Sequence, residues 1–138
     1  MSERRISVAA EAAQLPALTR FLQEFCAAAA LPAADALAFE LALEEVFMNV
    51  VMHGAPQGRA PRVEVSLALG ADGLALTVED DGPAFDPLSL PPPDVAAGLE
   101  QRPVGGLGVH LVRRLMDAVH YHRAGDRNRL RLVKQCAR

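Results

Sequence analysis

The feature that most constrains this chain is a pair of alternating runs on either side of a turn. Val63, Val65, Leu67 and Leu69 alternate with Arg62, Glu64 and Ser66; after Gly70-Ala71-Asp72-Gly73, Leu74, Leu76 and Val78 repeat the pattern. Successive side chains of a strand point to opposite faces, so both runs place their aliphatic residues on one face. The spacing predicts an antiparallel hairpin with one buried face. A lone hairpin is not stable in water, so other elements must cover that face. Helical periodicity provides the cover. A helix is expected from about Glu11 to Ala30, with Leu15, Leu18, Phe21, Leu22 and Phe25 on one side, until Pro32 breaks it. A stronger one is expected from Asp35 to about His53, with Phe39, Leu43, Val46, Phe47 and Val50 as its stripe and Gly54 as its stop. A third covers Val109–Asp117, with Leu111, Val112, Leu115, Met116 and, just beyond it, Val119 on one face. Further strands are expected at Arg5–Ala10, Val119–Arg123 and Arg129–Lys134, the last two joined by the turn Gly125-Asp126-Arg127-Asn128. These elements predict an α+β fold, a two-layer α/β sandwich in which helices cover one face of a mostly antiparallel sheet. The 138 residues suffice for one domain spanning 1–138.

Composition narrows the function. Apolar residues make up 51% of the chain and aromatic residues only 4%, with no Trp, so stacking platforms for single-stranded nucleic acid are scarce. The longest apolar run, Phe25 to Ala34, contains Pro32 and is too short to span a bilayer. No secretory leader is expected at the N-terminus, where the apolar stretch ends at Glu11. Cys26 and Cys136 are therefore expected as free thiols in a reducing cytoplasm. Charge is uneven: residues 1–108 carry nine more acids than bases, and residues 109–138 six more bases than acids. That balance argues against a general nucleic-acid binder and leaves a basic segment suited to phosphate groups or an acidic partner. The plainer reading is a solvated strand and helix edge facing the acidic part of the same chain.

Polar residues interrupt the apolar pattern in three places. Glu45, Asn49 and His53 recur every four residues and share one helical line. A carboxylate one turn before an amide can hold a hydroxyl and a Mg²⁺ ion side by side; a solvent-facing helix edge has the same pattern. Asp80 continues the alternation of Leu74, Leu76 and Val78, which points it to the core face, with Gly82 beside it. A buried acid at a strand end suits the amino group of a base; the alternative is a strand that stops early and turns through Asp80-Asp81-Gly82. Gly105-Gly106-Leu107-Gly108 runs into a helix. Backbone N–H groups at such a helix start suit phosphate, and a plain hinge has the same composition. His120 and His122 share one strand face without ligand spacing and read as solvated. There is no Gly-x-Ser-x-Gly elbow, and neither cysteine has local support for catalysis.

In this order the three segments resemble the N, G1 and G2 boxes of the GHKL ATPase superfamily, which includes gyrase, heat-shock chaperone and histidine-kinase ATP-binding domains. The run Gly105 to Asp117 most resembles the small bacterial anti-sigma-factor serine/threonine kinases. The resemblance implies a Bergerat ATP-binding fold with ATP and Mg²⁺ as cofactors. It implies Glu45 as general base, Asn49 as Mg²⁺ ligand, and Asp80 with Gly82 as the adenine reader. It further implies His53, Gly105, Gly106, Leu107 and Gly108 in nucleotide binding, with about Pro87 to Arg102 as a lid. The implied partners are a STAS-type anti-anti-sigma protein, a sigma factor and a second copy of the chain, with no direct nucleic-acid or membrane contact. The wider superfamily often has a second glycine in the G1 box where this chain has Ala84. That departure leaves open a nucleotide-dependent binding module with little kinase activity.

Overall fold

The computed structural model describes residues 2–54, 59–89 and 106–136. Five strands form one antiparallel sheet: β1 (Ser2–Ala9), β2 (Arg62–Gly70), β3 (Gly73–Asp80), β4 (Ala118–Ala124) and β5 (Arg127–Lys134), in the order β1-β2-β3-β5-β4. Three helices accompany it: α1 (Leu15–Ala28), α2 (Ala33–His53) and α3 (Gly106–Leu115). The α+β sandwich expected from the sequence is the fold observed.

The hairpin face behaves as its alternation demands. Val63, Val65, Leu67, Leu74 and Leu76 are completely shielded from solvent, and Leu132 of β5 joins them. Phe39, Leu43 and Phe47 of α2 and Leu18 and Leu22 of α1 pack against that layer. Helix α2 also packs against α3, so it is apolar on several sides rather than along one stripe. Its buried residues are Ala38, Phe39, Ala42, Leu43, Val46 and Phe47, and one polar residue, Asn49. Cys26 and Cys136 are buried and unpaired, as expected.

Several boundaries differ from the sequence expectation, each for a local reason. The first α-helix begins at Leu15, not Glu11, after a 3₁₀ turn at Ala12–Gln14. Pro16 explains this: without an N–H it is tolerated in a first turn and would break a helix that started four residues earlier. Helix α2 begins at Ala33 because the carbonyl of Pro32 accepts its first bond, from Ala36 N at 3.0 Å. Asp35 then lies in the first turn and pairs with Lys134 at 3.4 Å. Strand β1 runs from Ser2, paired with Leu69, to Ala9, paired with Arg62. Helix α3 starts at Gly106, so Gly106 and Gly108 lie inside it rather than before it. The turn between β4 and β5 is two residues long, Gly125-Asp126, and not four. Gly125, at φ +62°, supplies the positive backbone angle that such a tight hairpin requires. Asn128 therefore belongs to β5, directly opposite Asp80 of β3.

Candidate nucleotide site

The site forms where the C-terminal half of α2 crosses the ends of β3 and β5. A hollow opens there, lined by Asn49 and Val50 of α2, Asp80 of β3, Phe85, Tyr121 of β4 and Asn128 of β5. Strand β3 continues to Asp80, which pairs with Val63, so the strand does not end early. The alternation holds to the last residue, and the Asp80 carboxylate is buried, 6% exposed. Its Oδ1 accepts hydrogen bonds from Gly82 N at 2.9 Å and Asn128 Nδ2 at 3.0 Å. Among the described residues its Oδ2 takes none. Asp81 points away and accepts from Arg62 N at 2.7 Å.

Gly82 is needed for close approach. A Cβ there would lie 3.0 Å from both Asp80 Oδ1 and the Gly54 carbonyl oxygen, so the absence of a side chain lets the β3 end meet the α2 end. Ala84, by contrast, is exposed and does not line the hollow. Its methyl group therefore leaves the hollow clear.

Asn49 is 2% exposed, yet neither its Oδ1 nor its Nδ2 has a hydrogen-bond partner among the described residues. An unsatisfied buried amide costs on the order of 1–3 kcal/mol per group, so a water, a cation or a ligand group at this position would stabilise it. Glu45, one turn earlier, is half-buried, and a Cβ on Gly108 would fall onto its carboxylate. The glycine in α3 is therefore what makes room for the Glu45 side chain. His53 is exposed and stacks on Phe85, ring centroids 4.7 Å apart, so it reaches the hollow only through that ring. Gly106 opens α3; Gly105 and most of the expected lid lie outside the described residues, as does any account of the Leu107 side chain. The expected lid begins with a 3₁₀ turn at Pro87–Ser89, which Arg113 of α3 ties down by donating to the Leu88 carbonyl at 3.0 Å.

Both acids hold their protons more firmly than usual. Burial pushes the Glu45 carboxyl up, and the neighbouring Glu44 charge adds to this. Burial also pushes Asp80 up, against the opposing hydrogen bonds from Asn128 and Gly82. The donor set fits a magnesium nucleotide: a free carboxylate oxygen for a base amine, an orphaned amide oxygen for a hard cation, and a glycine-opened helix start for phosphate.

Asn128, Tyr121 and Phe85 are the site residues that the sequence reading missed. Asn128 sits two residues before Leu130 on the inward face, the same signal that located Asp80. The longer turn assumed there concealed it.

The family described as Histidine kinase-like ATPase domain matches residues 8–134. The chain belongs to this family. This ATPase-family chain is 31% identical over 97 residues to the serine/threonine-protein kinase BtrW of Bordetella bronchiseptica, covering 70% of this chain and 68% of that protein. It superposes on the structure of the RsbU and RsbW domains of Rv1364c from Mycobacterium tuberculosis with a TM-score of 0.72 at 17% identity, over 100% of this chain and 33% of that one. It thus spans a third of the mycobacterial chain. The histidine kinase domain of the blue-light activated kinase EL346 from Erythrobacter litoralis gives a TM-score of 0.55 at 19% identity, over 87% of this chain and 58% of that one. The chain is thus a GHKL-type ATPase domain, related to a serine/threonine kinase in sequence and to RsbW-type domains in fold.

Because the folded pKa of Asp80 is raised, its stabilising contribution is fully present below the ordinary carboxylate range and is lost as pH rises through the folded value. Nucleotide-free Asp80→Asn should therefore melt no lower than wild type at neutral pH, with any gain vanishing in acid; a marked neutral-pH loss contradicts the burial argument. Gly108→Ala should expel the Glu45 carboxylate toward water with little change in melting temperature. Carboxyl-carbon NMR should then show Glu45 titrating closer to the ordinary range, and an unchanged titration contradicts the packing described.

Proposed function

We propose that the chain is an ATP-dependent protein serine/threonine kinase of the anti-sigma type, with residues 1–138 forming one such domain. The observation that carries this reading is Asn49, a buried amide without partners that lines the same hollow as Asp80. Family membership and the likeness to BtrW support it.

In this reading Asp80 Oδ2 accepts a hydrogen bond from the adenine amine, and Gly82 lets the backbone lie close to the base. His53 braces the pocket wall through Phe85. Backbone N–H groups of Gly106, Leu107 and Gly108 at the start of α3 would face the phosphates, and Gly105, next to them in sequence, is proposed for the same role. Asn49 Oδ1 would hold Mg²⁺, which would neutralise charge on the triphosphate. Glu45 receives the proton of the acceptor serine or threonine hydroxyl as that oxygen bonds to the γ-phosphorus. The bond from the γ-phosphorus to the bridging oxygen breaks, and ADP leaves. Its raised pKa makes Glu45 a stronger base than an exposed glutamate and places the acid limb of the rate profile above the ordinary glutamate range.

The proposed phospho-acceptor is a STAS-type anti-anti-sigma protein, and the proposed competing partner is a sigma factor. The proposed setting is the cytoplasm. Among the described residues no helix is long and apolar enough to cross a membrane. A homodimer is proposed through the edge strand β1 and α1, where Ser2, Arg4, Phe21, Phe25 and Ala28 line an open groove.

The test is transfer of labelled γ-phosphate to the cognate STAS protein. Wild type should produce phosphoserine or phosphothreonine, and Glu45→Ala should slow transfer by about 10²–10⁴-fold while keeping ADP affinity within a few-fold. Transfer at the wild-type rate in the variant removes Glu45 as base. Nucleotide binding without any transfer to a bound partner favours a binding module instead.

A further inference from the structure

Asn128 uses every hydrogen bond that its side chain can make. A carboxamide offers two N–H donors and two acceptor lone pairs. Nδ2 donates to Asp80 Oδ1 at 3.0 Å and to the Pro83 carbonyl at 2.8 Å. Oδ1 accepts from Phe85 N at 3.2 Å and from the Tyr121 hydroxyl at 2.5 Å. The partners fix the amide's orientation, because a backbone N–H only donates and a carbonyl only accepts. The residue is 6% exposed and has no valence left for a ligand.

We infer that Asn128 is a positioning residue for recognition of a 6-aminopurine base, holding Asp80 and the Pro83–Phe85 backbone so that Asp80 Oδ2 faces the base amine. This rests on the nucleotide reading above and adds to it a residue that acts through another. The geometry explains why one side chain suffices. Asp80 and Asn128 are direct cross-strand partners, so their side chains lie side by side at the sheet's end. From there the amide also fixes both backbone ends of the loop segment whose Phe85 lines the hollow. Tyr121 braces it from β4. The result is three strands and one loop joined at one carboxamide.

The carboxamide also selects a protonation state. An ionised carboxylate is the stronger acceptor for a base amine, and the Asn128 N–H favours that form. The other groups acting on Asp80 are Gly82 N–H, Asp81, whose charge opposes ionisation, and Arg123 of β4, whose charge favours it. Arg123 donates to the Gly82 carbonyl at 2.9 Å. On α2 the facing titratable groups are His53, stacked on Phe85, and Glu45, against Gly108.

The test is ADP binding by calorimetry across pH for wild type, Asn128→Ala and Asn128→Asp. Wild-type affinity should fall in acid as Asp80 takes a proton. In Asn128→Ala the fall should begin at higher pH, so that the loss relative to wild type is about tenfold larger near pH 5 than near pH 8. Asn128→Asp keeps the shape and sets a second carboxyl against Asp80 Oδ1, so it should move the fall further; it carries the test if the alanine variant does not fold. A loss equal at every pH, or none, overturns the positioning role. Absence of ADP binding by folded wild type at any pH instead overturns the nucleotide reading on which it rests.

Discussion

The structure depends on one helix that must satisfy two incompatible demands. Helix α2 lies against the sheet, α1 and α3, and it is apolar on every side those neighbours cover. Yet it also carries Glu45 and Asn49 into the interior near its C-terminal end. Burying Phe39, Leu43 and Phe47 stabilises the chain by about 1.5–3 kcal/mol each. Leaving the Asn49 amide unpaired costs a comparable amount. The core thus accepts a polar residue in its principal helix, and that residue lines the hollow where α2 meets the ends of β3 and β5.

The same trade recurs around the hollow. Asp80 is buried at a raised pKa, Glu45 is half-buried beside another acid, and Gly108 gives up a side chain so that Glu45 has room. Each lowers the stability of the empty protein or forgoes stability it could have had. Such local departures from good packing and neutral burial are expected where a protein binds or reacts. The Asp80–Asn128 pair holds the departure in place, because it is built into the sheet register rather than into a loop.

Much of this was legible in the sequence. Alternation through Val78 points Asp80 to the core face provided the strand runs that far, and pairing of Asp80 with Val63 shows that it does. The i, i+4 spacing aligned Glu45 with Asn49, and helical rotation set His53 at the helix end, where it meets Phe85 rather than the hollow. What could not be read depended on contacts between distant segments. The missing partners of Asn49 are visible only when α2 is packed. The need for Gly108 comes from Glu45, sixty-three residues earlier in the chain. Asn128 had the same inward-face signal as Asp80, but assuming a four-residue turn removed it from its strand. Pro16 alone is enough to move the α1 start to Leu15, a local constraint that the apolar stripe does not encode.

The central claim is that the hollow binds a magnesium nucleotide through Asp80. The most direct measurement is calorimetry of Mg²⁺-ATP with wild type and with Asp80→Asn, whose fold is expected to persist. Saturable binding by wild type that disappears in the folded variant is the predicted result. Equal binding by both proteins would place the nucleotide elsewhere and contradict the account.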